Sequence, residues 1–368
     1  MSFPGTIPEI ASPNSNEIRK FLRERRLPRT SINIAAATAA IRKKRIEDAL
    51  PKGRDITLRS DESPRQIVFG QCRVPGVPVF AAIEEDNSQL HVVYAVAGHE
   101  IEDIYEVYMD DARVDWASVP GWCQAIVPKT GNPVFTDSIY LEKKYGTDSQ
   151  TALNYITSRN VGWTTNHRLL GIANAGLSYK WDAALYANGF PEVYFIIKGM
   201  KCYDPRSDST DYTANTALAT AAFITNSRFG LGYDYSEVDL DALSDAADLS
   251  DEIVSGEYRY TVNGYFESTD SREAILFELV NSMQGRVVYQ FSGRKWIIRP
   301  AKFYTPSMTI TLDDVLSDIQ VATNTDRGTN FNAVQGQFVD PTKDYVLNDF
   351  PIVKNAVYAT EDGGQKPI

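Results

Sequence analysis

Residues 184–206 read ALYANGFPEVYFIIKGMKCYDPR, and this stretch decides how the chain folds. Gly189-Phe190-Pro191 is a turn signal, because glycine reaches backbone conformations closed to other residues and proline fixes φ and removes a donor. Residues 193–198 follow, a β-branched and aromatic run suited to a buried strand. Gly199 then precedes Lys201-Cys202-Tyr203-Asp204-Pro205-Arg206, so the pattern predicts turn, strand, turn. Upstream, the same alternation predicts short strands at 57–59, 66–73, 77–84, 89–97 and 104–108. Gly, Pro, Asn and Asp separate them, with a hairpin turn at Asp86-Asn87; that spacing signals a β-barrel or sandwich.

The block 197–206 matches V-x-G-x-x-[VC]-[YW]-D-x-R, and 64–76 (PRQIVFGQCRVPG) matches P-x-x-[IV]-[IVL]-[YF]-G-x-x-R-V-x-G. The second block is followed by LHVVYAVA at 90–97 and EIEDIYEVY at 100–108. In content, order and spacing these blocks resemble the central hub, or tip attachment (host-specificity), proteins of long non-contractile phage tails. The similar blocks span roughly 57–340, most of the chain. Each is low in information, and their order carries the resemblance.

At 368 residues, 43% hydrophobic and 11% aromatic with 20 Tyr, the chain is long enough for two or more domains and leans toward β structure. No run of eighteen apolar residues is present, and MSFPGTIPEI lacks the basic and apolar regions of a secretory signal. Cys72, Cys123 and Cys202 are scattered without CxxC spacing, which points to folding in a reducing cytoplasm rather than to a disulfide framework or a zinc site. The net charge of −11 is uneven: residues 1–60 carry 13 Lys+Arg against 6 Asp+Glu, a balance of +7, and the remainder carries −18. A basic arm on an acidic body suits docking on an acidic surface. Nucleic-acid binding by the arm lacks the aromatic residues that would interleave its charges.

Residues 1–30 read as extended, and Ser31 can cap a helix over 32–50 that Pro51 and Gly53 stop. Between 120 and 190, strands at 121–127 and 136–141, a helical turn at 149–156 and β segments within 168–179 read as an insertion, with Trp163 and Trp181 as packing residues. Helices are predicted at 216–226, at 238–247 opened by Ser236 and Asp239, and at 271–284. The last is read as capped by Asp270 with Glu273 three residues on, buried through Ile275, Leu276, Leu279, Val280 and Met283, and ended by Gly285. A hairpin at 286–290 and 295–299 turns at Ser292-Gly293; strands are expected at 309–316 and 329–339.

Catalytic signatures are absent. His91, His99 and His167 form neither HExxH nor an i, i+4 pair, and no GxSxG, P-loop, Rossmann glycine pattern or calcium loop occurs. The acidic pairs Glu84-Glu85-Asp86, Asp110-Asp111 and Asp313-Asp314 sit in turns and read as solvated faces; Asp204 and Arg206 could pair around Pro205. No catalytic, cofactor-binding or metal-binding residue is assigned, and the chain is expected not to be an enzyme.

The fold expected is α+β, mainly β. The resemblance implies a tail-hub architecture with two similar β-barrel hub domains: a basic arm with an Ala-rich helix at 1–54, a first barrel at 55–120 plus 190–206, an inserted β-rich domain at 121–189, an α+β helix-plus-hairpin domain at 207–304, and at 305–368 the start of a second barrel that continues past Ile368. It further implies a homotrimer at the distal end of the tail tube, in the virion after assembly in the host cytoplasm. The implied partners are the distal tail ring protein, the C-terminus of the tape-measure protein, other tip proteins and a central fibre. DNA passes through the lumen without specific binding, and the host receptor is met through regions outside this chain. The alternatives are a carbohydrate-binding, adhesin-like β protein, which would be a monomer with an aromatic groove, and a tail-associated cell-wall hydrolase.

Overall fold

In the computed structural model, the run Val193–Lys198 is a central strand, flanked on both sides by hydrogen-bonded neighbours. The structure describes residues 13–25, 28, 30, 34–38, 40–41, 63–110, 112–119, 122–128, 138–182, 186, 190–306, 308–321 and 331–364. The strand expected at 57–59 and the cap at Ser31 lie outside them. The chain divides into two units, the first being 1–203 with 209–214 and 263–275, the second 204–208, 215–262 and 276–368.

The first unit begins with α1 (Ser15–Glu24) in the segment expected to be extended. Asn14 caps it by accepting from the Asn16 and Glu17 amides, while Glu17 reaches back to the Asn14 amide. Pro13 and Pro28 bound this helix instead of breaking it. Residues 34–38 and 40–41 are also helical.

The strands of this unit are β1 (Gln66–Phe69), β2 (Gln71–Pro75), β3 (Val77–Ile83), β4 (Gln89–Ala97), β5 (Asp103–Met109), β6 (Ala112–Val119), β7 (Trp122–Pro128), β8 (Ile139–Tyr145), β9 (Ala173–Lys180) and β10 (Val193–Lys198). Nine of them form one sheet in the order β2-β10-β5-β6-β7-β8-β9-β4-β3. All the pairings itemised within it are antiparallel, as hairpins and meanders give. β7, β8 and β9, which fall in the stretch read as an insertion, are part of this same sheet.

No sheet closes into a barrel among the described residues: β2 and β3 are the two ends of the ladder. Those ends are nevertheless consecutive in the chain, joined through Gly76 alone. A Cβ at Gly76 would lie 2.7 Å from Phe195 Cε2 and 2.8 Å from Tyr94 Cδ1, so only glycine lets the chain pass from β10's side to β4's side here. One core cluster takes residues from almost the whole sheet, among them Val74, Leu90, Ile104, Val107, Leu141, Leu177 and Phe195. A smaller cluster, Val93, Leu153, Ile156 and Trp163, packs the one-turn helix α2 (Asn154–Thr157) on the sheet's other face. Trp181 packs with Tyr186 and Phe190 against the main core. β11 (Lys201–Asp204) and β12 (Ser209–Tyr212) form a ribbon.

The second unit contains α3 (Thr216–Thr225), capped by Asn215, and α4 (Leu240–Ser250), capped by Asp239 as the sequence suggests. α3 is apolar on every side and almost entirely buried. β13 (Ile253–Val254) and β14 (Glu257–Tyr258) make a short hairpin, and β15 (Gly264–Glu267), in the first unit, pairs with β1. In α5 (Arg272–Asn281) the cap is Ser271, whose Oγ accepts from the Ala274 amide. Asp270 instead accepts from the Glu267 amide, and the helix ends before a left-handed Gln284 rather than at Gly285. Ile275, Leu279 and Met283 are buried, while Leu276 and Val280 are half-buried. β16 (Arg286–Gln290) and β17 (Lys295–Arg299) form the expected hairpin, with Trp296 opposite Tyr289.

Beyond it, 309–316 holds a 3-10 turn at Leu312–Asp314 in place of the expected strand. β18 (Ala333–Val334) pairs with β21 (Val353–Lys354), β19 (Gln337–Asp340) pairs with β20 (Val346–Asp349), and α6 (Ala356–Glu361) follows.

Candidate functional site

The block that opened the sequence reading is built as a brace. Val193, Phe195 and Ile197 of β10 point into the main core. Tyr194 faces the other way, where the Arg73 guanidinium lies 4.2 Å from its ring centre and 5.3 Å from that of Tyr108. This cross-strand stack of a cation between aromatic faces ties β2, β10 and β5 together. At Gly199 the backbone passes so close to β1 that a Cβ would sit 2.3 Å from the Val68 carbonyl oxygen. The Gly199 amide donates to the Gly70 carbonyl (2.8 Å) and the Met200 amide to the Val68 carbonyl (2.9 Å).

His99 completes this junction. The Val68 amide donates to Nε2 at 2.8 Å, and Nδ1 lies 2.7 Å from the Glu100 carbonyl oxygen. A carbonyl can only accept, so Nδ1 carries the proton and the ring is a neutral cross-link between backbone segments.

Asp204 and Arg206 do pair. Arg206 Nε and Nη2 hold both Asp204 carboxylate oxygens at 2.7–3.1 Å, while Nη1 reaches Asp248 at 2.8 Å and Nη2 reaches Asp251 at 2.9 Å. Asp248 and Asp251 stand at the C-terminal end of α4, where the helix's partial negative charge disfavours acids. Arg206 offsets that cost, which is why a planar fork of donors rather than a point charge sits here. Hydrogen bonds from Arg206 hold the Asp204 carboxyl below its ordinary range, and those from Asp204 raise the guanidinium further.

His91 is fully buried between β3, β4 and β9. Its Nε2 lies 3.2 Å from Glu84 Oε1 and its Nδ1 lies 2.7 Å from Ser178 Oγ. Since the carboxylate accepts, Nε2–H donates to Glu84 and Ser178 O–H donates to Nδ1. That is the order of groups that activates a nucleophile in acyl-transfer enzymes. Here Ser178 and His91 are 1% and 0% exposed, so no substrate reaches them. Arg159 stands 3.6 Å from Glu84 and donates to Tyr155 Oη, which donates to Gln89, so the group works as a polar brace under α2. Burial lowers the His91 pKa, opposed by Glu84. The i, i+2 spacing of Gln89 and His91 on an otherwise apolar strand was the available sequence signal for this buried polar line.

His167 accepts from the Thr164 amide and its ring stacks on Trp163 at 5.0 Å. Cys72 and Cys202 are buried, free thiols pushed up to about 12, far from thiolates. Among the described residues, no group of three or more His, Cys, Asp or Glu could hold a metal, and no helix is long and apolar enough to cross a membrane. A cleft of about 420 Å³ lined by Arg65, Gln66, Val77, Val79, Gly98 and Ile172, among others, contains no cluster of titratable groups.

The surfaces differ more than the interiors. In the second unit, Phe303, Leu316, Ile319, Leu347, Val353 and Val357 are exposed, Leu316 at 99%. Between residues 303 and 364, Ala333 is the buried apolar side chain among the described residues.

No protein-family model matches the chain. The baseplate hub protein pb3 of Escherichia phage T5 is 22% identical over 366 residues, covering 81% of this chain and 38% of that protein. A chain from the virion of a native gene transfer agent particle superposes with a TM-score of 0.46 and 15% identity, over 86% of this chain and 71% of that one. This chain thus spans less than half the length of the curated relative. The resemblance to phage tail-hub proteins, read from the order of the 64–108 and 193–206 blocks, is borne out by that relative.

Proposed function

We propose that this chain is a structural subunit of the hub at the distal end of a phage tail. The observation that carries the reading is the similarity to a baseplate hub protein along 81% of the chain. The braces at Gly199, His99 and Arg206 support it from the structural side. They fix backbone to backbone and helix to turn, as a load-transmitting part requires, and expose no reactive group to solvent.

In this reading three copies form a ring. Two similar β modules per chain, one from 55–120 with 190–206 and one from 305 onward, give the trimer six β modules and let it plug a hexameric tube. The insertion at 121–189 and the helix-plus-hairpin part at 207–304 fill the space between modules. The distal tail ring sits above, the C-terminus of the tape-measure protein occupies the lumen, and other tip proteins and a central fibre attach outside. The excess of −18 outside the basic arm suits a channel through which DNA slides. Acidic walls repel phosphate, whereas basic walls would bind it by counterion release.

The test is the mass of the purified chain by native mass spectrometry, with negative-stain images. Three chain masses and threefold rings are expected. A single chain mass at every concentration, with affinity for cell-surface sugars, would overturn the reading in favour of a lectin-like protein.

A further inference from the structure

Two features coincide between residues 303 and 364. The first is apolar exposure. Phe338 and Val339 on β19, and Val346 and Leu347 on β20, are exposed although neighbouring residues of a strand point to opposite faces. Both faces of that two-stranded ribbon are therefore apolar and uncovered. An isolated ribbon of this kind is marginal in water, and contiguous exposed apolar surface marks a contact site. The second is charge: this stretch holds nine Asp+Glu against three Lys+Arg, a balance of −6.

The occupant must therefore bring both apolar and cationic side chains. Copies of this chain are acidic everywhere except residues 1–60, whose balance is +7 and whose charges are interspersed with Ile, Leu and Phe. In α1 the face bearing Arg19, Lys20 and Arg23 is exposed, while Leu22 is buried and Ile18 and Phe21 are half-buried. The positive face is thus turned outward, and the two charge balances nearly cancel.

We infer that the N-terminal basic segment of one copy, residues 1–60, docks on the acidic, apolar surface at 303–364 of a second copy. The inference rests on the reading of the chain as a self-assembling hub subunit and adds the contact that holds copies together. Such a contact joins different patches of the two copies, so its repetition about an axis closes a ring. The opposite charges steer the encounter and fix its register, and the apolar side chains supply the buried area.

The test reverses charge on each side in the full chain. One variant carries Arg19→Glu, Lys20→Glu and Arg23→Glu, the other Asp313→Lys, Asp318→Lys and Glu361→Lys. All six side chains are exposed, and none of the three acids forms a helix cap. Assembly is followed by mass photometry against concentration, with circular dichroism to verify folding. Each variant alone should need at least about tenfold more protein to assemble, a difference of about 1.4 kcal/mol. An equimolar mixture should assemble better than either, because each reversed arm then meets a reversed surface. As a second measurement on the unaltered chain, raising salt from about 50 mM to about 500 mM should weaken assembly by screening. Wild-type oligomers that ignore both charge reversal and salt would overturn this inference and leave the hub reading standing. A wild-type chain that stays monomeric would overturn both.

Discussion

A methyl group at residue 199 would press against the Val68 carbonyl at 2.3 Å, and both neighbours are pinned by hydrogen bonds, so neither side can yield. Gly199→Ala should cost about 1–3 kcal/mol, the range of overpacked sites, read as a lower urea midpoint with unchanged slope; an unchanged midpoint would show that the junction relaxes. His91 gives a pH dependence. Its folded pKa lies below the ordinary value of 6.5, chiefly through burial, so below that pH the unfolded chain binds a proton the folded chain refuses. Stability should therefore be full above about pH 6.5 and fall as the pH drops toward the folded value. In His91→Gln the fall in unfolding free energy between about pH 7 and about pH 5 should be smaller than in wild type; an equal fall would assign the acid sensitivity to other groups. Residue roles of this kind were only partly legible. Asp204 with Arg206 could be paired from their spacing, but Asp248 and Asp251, more than forty positions away, could not. The Ser178–His91–Glu84 line likewise joins residues from three strands whose pairing no local pattern specifies.

Among elements, those with strong local signals came out where the sequence put them. β4, β10 and the β16–β17 hairpin have the expected bounds, and α3 and α4 lie within three residues of theirs. The misses share a cause. Asn14 with Glu17 is a capping box, but the flanking prolines masked it as extended chain; Ser271 and Asp270 are both capable caps, and tertiary contacts selected the serine. Gly76 looks like any turn glycine in sequence, whereas its role depends on Phe195 and Tyr94 meeting across the sheet. At this scale Arg206 is the informative test, because it ties the 204–208 turn to the end of α4. Asp204 and Arg206 are about a fifth to a quarter exposed, so the pair is incompletely screened. Arg206→Ala should lower stability by about 1–3 kcal/mol, as lost hydrogen bonds to charged groups do, and Arg206→Lys should recover less than half, lacking the planar fork. Full recovery by lysine would reduce the cluster to simple charge balance.

For the whole molecule, the sequence carried the mainly β class with helices and the resemblance to tail-hub proteins, because block order survives where identity falls to 22%. Closure of a barrel was not legible, since pairing of β2 and β3 depends on curvature that strand propensity does not encode. The exposed apolar ribbons at 331–364 make sense only in an assembly: each large side chain left in water forfeits about 1.5–3 kcal/mol of burial. A chain built to be complete alone would hide them. Its acidic bulk and basic arm give the same message in charge. The central claim is a place in the virion, and gold-labelled antibodies raised against the purified chain test it on intact particles of the source phage. Gold at the tail end distal to the capsid is the predicted result; gold on the capsid, or none on the particle, would contradict it.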